Sequence, residues 1–303
     1  RFGAAWHPAG DHVVLLADED EHDGLYRLDL NGADAPLTRL SDPTWDVLSA
    51  PRFSADGTLY FEGTGGRPAE RHVFRLAPDA AAAIRVTQHP GHHVAYPGPT
   101  GDDLAILSSD DRNPAELYLA TGDDAPRRIT HSPTKAFADF PLAQVRYLTA
   151  PGPDPDRELH IRLLLPKDFD ASRRYPVLFG PMYSNTVRNR WGFAYTLMQQ
   201  ALTQRGYLVA QVDMRGSTGY GRDFREAFLN DFAGGDIEDI EAAVTHLQDL
   251  PYVAGDRLGI WGSSYGGTLT VYTLLKKPGL FRAGVAAAAA VDPRFFGTDD
   301  VAI

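Results

Sequence analysis

The 303-residue chain contains no cysteine. That excludes disulfides, thiolate metal sites and a cysteine nucleophile, and it fits any redox compartment. No apolar run approaches the roughly 18 residues of a membrane-crossing helix, so no membrane span is expected. The Ala-rich stretch from Gly284 to Val291 reads instead as a buried strand and its exit. Positive charge is in deficit: 29 Lys and Arg stand against 40 Asp and Glu, for a net charge of −11. Such a surface argues against a dedicated nucleic-acid or anionic-membrane binder. No signal segment opens the chain, which starts at Arg1 in the middle of a pattern. Histidine is scarce where it matters, because all ten precede residue 247. What is present is ample apolar material, 43% of residues, enough for two packed cores in a chain of this length. A soluble protein of the cytoplasm or periplasm is expected, the compartment itself being unmarked.

The first part repeats itself three times. A turn followed by an apolar strand occurs at Pro8–Leu15, Ser54–Phe61 and Pro99–Ile106, with spacings of 46 and 45 residues from Val13 to Leu59 to Leu104. A short strand follows in each unit: Leu25-Tyr26-Arg27-Leu28, Val73-Phe74-Arg75-Leu76 and Leu117-Tyr118-Leu119-Ala120. Each unit then closes on Arg39-Leu40-Ser41, Arg85-Val86-Thr87 or Arg128-Ile129-Thr130. Asp-Gly and Gly-Asp pairs suit tight hairpin turns because they tolerate positive φ. Four short strands in roughly 40–50 residues suit a propeller blade. Residues 1–141 therefore read as part of a β-propeller, about three blades, with a plain antiparallel sandwich as the alternative. Three blades do not close a ring.

After Pro141 strands alternate with helical segments. Leu142–Ala150, Leu159–Leu165, Tyr175–Gly180, Tyr207–Asp213, Arg257–Trp261 and Ala283–Ala289 read as strands. Trp191–Arg205, Asp236–Leu250 and Tyr265–Lys277 read as helices. This alternation implies an α/β domain over 142–303 with a mainly parallel sheet and helices on both faces.

Gly262-Ser263-Ser264-Tyr265-Gly266-Gly267 follows a strand and opens a helix, the context a G-x-S-x-G nucleophile elbow requires. Gly262 and Gly266 lack the Cβ that would clash where strand and helix fold back on each other. Ser264 is then exposed at the tip, and the helix amino terminus favours developing negative charge. The Tyr265 amide is set to donate to an oxyanion. Ser263 is the rival serine, but only Ser264 holds the central position. A chance glycine-rich turn is the plainer reading of the pentapeptide alone.

With its flanking Trp261, this run resembles the active-site segment of the prolyl oligopeptidase family, particularly its dipeptidyl-peptidase-IV-like and acylaminoacyl-peptidase branches. Further matches are Asp213-Met214-Arg215-Gly216-Ser217-Thr218-Gly219-Tyr220-Gly221, Gly235-Asp236-Ile237-Glu238-Asp239 and Tyr175-Pro176-Val177-Leu178. The resemblance covers about 142–303. It implies a β-propeller joined to an α/β-hydrolase domain, a serine peptidase acting on short peptides, and no metal or cofactor. It also makes Ser264 the nucleophile and Tyr183 the source of a second oxyanion donor, through its hydroxyl. The family has glycines and a proline after this tyrosine, where the present chain has Ser184-Asn185-Thr186. Phe295 and Phe296 fall in the segment that lines the family's pocket for the residue preceding the scissile bond; the other reading is ordinary core. Arg215 is read as bracing its loop through a carboxylate. Asp236 and Asp239 are either its partners or the solvated start of a helix.

A serine hydroxyl needs a histidine to take its proton and a carboxylate to orient that histidine. In α/β-hydrolases these follow the serine in the order acid, then histidine, and no histidine follows Ser264. Asp292, Asp299 and Asp300 come too early in the fold. His246 reads as a solvated helix residue, and His92-His93 as a loop pair between repeats rather than a metal site. The expectation is a chain incomplete at both ends, truncated after about the sixth strand. A missing carboxyl-terminal segment or second chain would supply Asp and His, and residues 1–303 alone would turn over poorly. An oligomer is left open. An esterase-type serine hydrolase and a non-catalytic propeller/hydrolase scaffold are the alternatives to a peptidase.

Overall fold

A computed structural model of the chain describes residues 3–30, 36–99, 103–122, 124–292 and 294. It divides into two compact units. One holds residues 1–139 with 188–191 and 219–223, and the other holds 140–187, 192–218 and 224–303.

The first unit contains three antiparallel sheets of four strands, each paired in chain order. They are β1 (Gly3–Trp6), β2 (His12–Ala17), β3 (Gly24–Asp29) and β4 (Thr38–Arg39); β5 (Arg52–Phe53), β6 (Leu59–Gly63), β7 (His72–Leu76) and β8 (Ile84–Arg85); and β9 (His92–Pro97), β10 (Asp103–Ser109), β11 (Glu116–Thr121) and β12 (Arg127–Arg128). The repeated closing tripeptide has one physical job. Ser41 Oγ, Thr87 Oγ1 and Thr130 Oγ1 accept hydrogen bonds from the backbone N–H of Leu25, Val73 and Leu117, at 3.0, 3.1 and 2.8 Å. Two residues before each hydroxyl, Arg39, Arg85 and Arg128 donate through Nε to the carbonyl of that hydroxyl residue. The device satisfies a backbone donor that the two-residue last strand leaves unpaired. Adjacent sheets share apolar cores: Val14, Leu16 and Leu25 pack with Leu59, Phe61 and Phe74, and Tyr60 and Val73 with Ala95, Leu104 and Ile106. His92 and His93 lie in strand β9, not in a loop, because the Arg71 carbonyl takes the His93 N–H at 2.9 Å.

After the short helix α1 (Lys135–Ala138), the second unit is built on one six-stranded sheet. Its strands are β13 (Val145–Pro151), β14 (Glu158–Leu164), β15 (Tyr175–Met182), β16 (Leu208–Asp213), β17 (Val253–Ser263) and β18 (Ala283–Ala287), in the order β13-β14-β16-β15-β17-β18. Between them come α2 (Phe193–Gln204), α3 (Arg222–Glu226), α4 (Gly235–Gln248) and α5 (Tyr265–Lys276). The sheet is mixed. β13, β14 and β16 pair antiparallel, whereas β16, β15, β17 and β18 pair parallel. The antiparallel β13–β14 pair follows from the tight Gly152–Arg157 turn, closed by a 2.6 Å backbone bond; a hairpin can join only antiparallel strands.

Strand alternation sorts the helices by face. Leu159, Ile161 and Leu163 of β14 and Leu208, Ala210 and Val212 of β16 face the core shared with Ile237, Ile240, Val244 and Leu247 of α4 and Leu269 of α5. Leu164 and Val209, on the opposite face, pack with Ala143 and with Leu202 of α2. Full burial of each such aliphatic side chain is worth about 1.5–3 kcal/mol relative to exposure. The site grows from the carboxyl ends of the parallel strands β15, β16 and β17, the position open α/β sheets use for binding.

Candidate active site

Ser264 separates β17 from α5 with φ 57° and ψ −126°. This is left-handed territory that a side chain enters at a cost of roughly 1–3 kcal/mol. The surroundings hold it there. The Ser264 N–H donates to the Ala287 carbonyl at 3.0 Å, and its own carbonyl accepts the Thr268 N–H at 3.0 Å. Thr268 Oγ1 in turn donates to the Ala290 carbonyl and accepts the Ala290 N–H. The glycines are forced by contact. A Cβ on Gly262 would strike the backbone of Gly266, one on Gly266 the Met182 carbonyl, and one on Gly267 the Ala287 carbonyl. The side chain of Ser264 is exposed and that of Ser263 half-buried.

The amides of Tyr265, Gly266 and Gly267 open α5, and the first intrahelical donor is that of Thr268. The first-turn amides therefore have no acceptor within the helix and offer partial positive charge beside Ser264. The Tyr265 ring is fixed by its hydroxyl, which donates to Asp236 Oδ2, and by an edge-on contact with Phe232 at 5.7 Å between centroids. Burial pushes the Tyr265 hydroxyl well above the ordinary phenol range, and the Asp236 charge adds to the effect. Burial likewise raises Asp236, whose other oxygen, Oδ1, is buried with no hydrogen-bond partner among the described residues.

Tyr183 follows Met182, which pairs with Gly262 after a register shift in the β15–β17 ladder. Its ring is exposed and meets that of Tyr265 edge-on, with centroids 6.3 Å apart. The loop beyond it is tied down at three residues. Asn185 takes φ 61°, a conformation asparagine tolerates better than most residues. Its N–H donates to Ser217 Oγ at 3.1 Å, and its Oδ1 accepts the N–H and hydroxyl of Thr218. Asp213, fully buried at the end of β16, accepts the N–H groups of Thr186 and Val187 at 2.6 and 3.0 Å. Arg215 is braced by Asp239: Nε and Nη2 donate to its two oxygens at 2.9 and 2.7 Å, and the Arg215 backbone N–H donates as well. Asp236 and Asp239 thus divide the work, one on the tyrosine after the serine and the other on the arginine.

The sequence motifs contain Asn185, Asp213 and Ser217 but assign them no role. Asparagine in place of the glycines was the available signal for the first. Phe295 and Phe296 lie outside the described residues, as do Asp299 and Asp300. Asp292 pairs with Arg294 at 2.6 Å. Among the described residues no histidine is hydrogen-bonded to Ser264; His246 sits in the last turn of α4. His93 is buried and His92 half-buried, and desolvation lowers their pKa values to about 4 and about 3; His93 Nε2 donates to the His89 carbonyl.

A parallel strand, a serine at positive φ and a helix amino terminus, all at the carboxyl edge of one sheet, define an α/β protein with a sharp strand-to-helix turn that carries a strained, exposed serine. Residues 191–302 match the prolyl oligopeptidase family. It is 27% identical over 300 residues to the probable dipeptidyl peptidase 4 of Aspergillus flavus, covering 94% of this chain and 38% of that protein. It is 36% identical over 116 residues to dipeptidyl-peptidase 5 of Porphyromonas gingivalis, covering 37% and 16%. The crystal structure of Porphyromonas gingivalis dipeptidyl peptidase 4 superposes with a TM-score of 0.85 and 26% identity, covering 97% of this chain and 42% of that one. The chain spans 38% or less of the length of these curated relatives. No helix among the described residues is long and apolar enough to cross a membrane.

Proposed function

We propose that this chain is the nucleophile-bearing part of a serine peptidase that cleaves short peptides, with dipeptides as the first products to look for. The exposed, strained Ser264 carries the reading. Its Oγ attacks the carbonyl carbon of the scissile peptide bond and gives its proton to a histidine. The Tyr265 N–H and the Tyr183 O–H donate to the oxyanion that forms. Collapse expels the amine, which takes the proton from the histidine and leaves an ester on Ser264. Water then hydrolyses that ester by the same steps in reverse. The histidine and its carboxylate come from outside residues 1–303. The three four-stranded sheets are successive blades of a β-propeller that precedes the α/β-hydrolase domain in the chain.

Support for peptides over simple esters comes from the relatives' names, since the elbow itself serves both. The test uses the full-length protein with a panel of aminoacyl-, dipeptidyl- and acetyl-aminoacyl-anilides beside a simple aryl ester. Release of the aniline from the dipeptidyl substrates, lost in Ser264→Ala, is expected. Turnover of the ester alone would make it an esterase. No turnover of any substrate by a folded protein would leave a binding scaffold.

A further inference from the structure

Three chain segments of the first unit bring basic side chains together at a place that the peptidase reading does not use. Residues 188–191 belong to that unit, and the Asn189 N–H donates to the Ala69 carbonyl at 2.8 Å. Arg71 forms a parallel bridge with His92: its N–H donates to the Gly91 carbonyl at 3.0 Å, and its carbonyl accepts the His93 N–H at 2.9 Å. Arg71, Arg190 and His92 are thereby neighbours, close enough for both arginines to act electrostatically on His92 and for Arg71 to act on Arg190. Glu62 fixes Arg71. That fully buried carboxylate accepts Arg71 Nη2 at 3.0 Å on one oxygen, and its other oxygen takes Arg52 Nη1 at 3.1 Å and the Ala95 N–H at 2.8 Å. Arg188 is engaged with Tyr220, whose hydroxyl lies 3.5 Å from Nη1. Arg190 differs from both. Among the described residues its side chain has no carboxylate partner, and its electrostatic neighbours are the cations Arg188 and Arg71. It is exposed, so a ligand can reach it.

We propose that Arg71, Arg190 and His92 bind one oxyanion group, a carboxylate or a phosphate. Cations stand together at a cost unless a negative charge lies beside them. A chain of net charge −11 has carboxylates to spare, yet no described one pairs with Arg190. Instead partial desolvation, then the charges of Arg188 and Arg71, holds its guanidinium below the ordinary range. Desolvation, then the charges of Arg71 and Arg190, keeps the His92 ring neutral at neutral pH. A neutral imidazole has one N–H to donate. Arg71 Nε is buried with no hydrogen-bond partner among the described residues, and such a donor calls for an acceptor. Guanidinium forks match the paired oxygens of a carboxylate or phosphate. The three side chains thus offer donors to a ligand made of acceptors, and Arg71 is held in advance by Glu62. A bound anion would offset the repulsion among the arginines and tie the 188–191 segment to the start of β9.

Calorimetric titration of the full-length protein at low ionic strength tests this, with inorganic phosphate in one arm and succinate in the other. Succinamide serves as the uncharged counterpart, and thermal melts are run with and without each anion. The comparison set is Arg190→Gln and the control Arg127→Gln, at an exposed arginine of β12 in the same unit. Expected are one anion per chain, a raised Tm, and no binding of succinamide. Tighter binding of phosphate would point to a phosphate-bearing ligand, and tighter binding of succinate to a carboxylate-bearing one. Affinity should fall about tenfold or more in Arg190→Gln, as loss of a charge-assisted hydrogen bond implies, and stay unchanged in Arg127→Gln. Without anion, Arg190→Gln should melt no lower than wild type, because the charge it removes faces other cations. Absence of saturable binding of either anion by the wild type overturns the proposal. So does binding that Arg190→Gln leaves intact, or that Arg127→Gln weakens equally, which would mark general attraction to basic side chains. Because the readouts are binding and melting, they are independent of whether Ser264 proves to be a nucleophile.

Discussion

The three four-stranded sheets and the six-stranded sheet spend their interactions differently. In the repeats the same small device recurs: a Ser or Thr hydroxyl caps the strand before last, and an arginine two residues earlier grips the backbone beside it. Each copy of the device is confined to its own sheet, although adjacent sheets share apolar cores. In the α/β unit a large shared core supports the strained Ser264, and the interactions around that residue have no duplicates. Repetition tolerates local loss, whereas the elbow does not.

That contrast can be broken most directly at the elbow. Ser264→Ala in the full-length protein is expected to lower peptidase turnover by roughly a thousandfold or more with an unchanged circular dichroism spectrum. A large residual rate would shift the chemistry elsewhere. Gly266→Ala comes next: its Cβ collides with the Met182 carbonyl, a rigid backbone atom. A loss of about 1–3 kcal/mol in chemical denaturation is expected, together with loss of any activity that depends on the first-turn amides of α5, because they move. Thr87→Ala in a repeat leaves the buried Val73 N–H without an acceptor and should cost about 1 kcal/mol. Hydrogen exchange should rise in β7 and β8 and stay level in the α/β unit. If exchange rises throughout, the parts are less independent than their geometry implies.

The smallest effect sharpens the comparison through pH. Burial raises the Asp236 pKa in the folded state, so folding is favoured by protonation and loses that contribution as pH climbs through the raised value. Asp236→Asn has no such proton to lose. Relative to wild type, the variant should gain stability as pH rises from below the usual Asp range to above the raised pKa, then level off. A difference flat with pH would show that the carboxyl is not perturbed in the fold.

Much of this was legible beforehand because its cause is local. The hairpin turns, the Arg-x-Ser/Thr closings and the glycines around Ser264 are fixed by the conformations those residues permit or the space they leave. What was not legible depends on partners distant in the chain. Asp213 lies 27 residues after Thr186, whose N–H it accepts. Asp236 lies 29 residues before Tyr265, and no periodicity connects them. β17 begins at Val253, earlier than its apolar run implies, because Tyr175 of β15 pairs there. The sheet is mixed because a six-residue turn, Gly152–Arg157, reverses the chain, and the Pro/Asp/Gly run at that turn held the clue. Tyr183, which the family resemblance already set beside Ser264, gets there by way of a shift in strand register that the residues alone do not reveal.

Active-site labelling of the full-length protein with a fluorophosphonate, followed by mass spectrometry of the digested adduct, bears most directly on the role of Ser264. The account predicts a single modified serine, Ser264, with labelling abolished in Ser264→Ala and retained in Ser263→Ala. Modification of Ser263 instead, or a folded protein that takes no label at all, would contradict it.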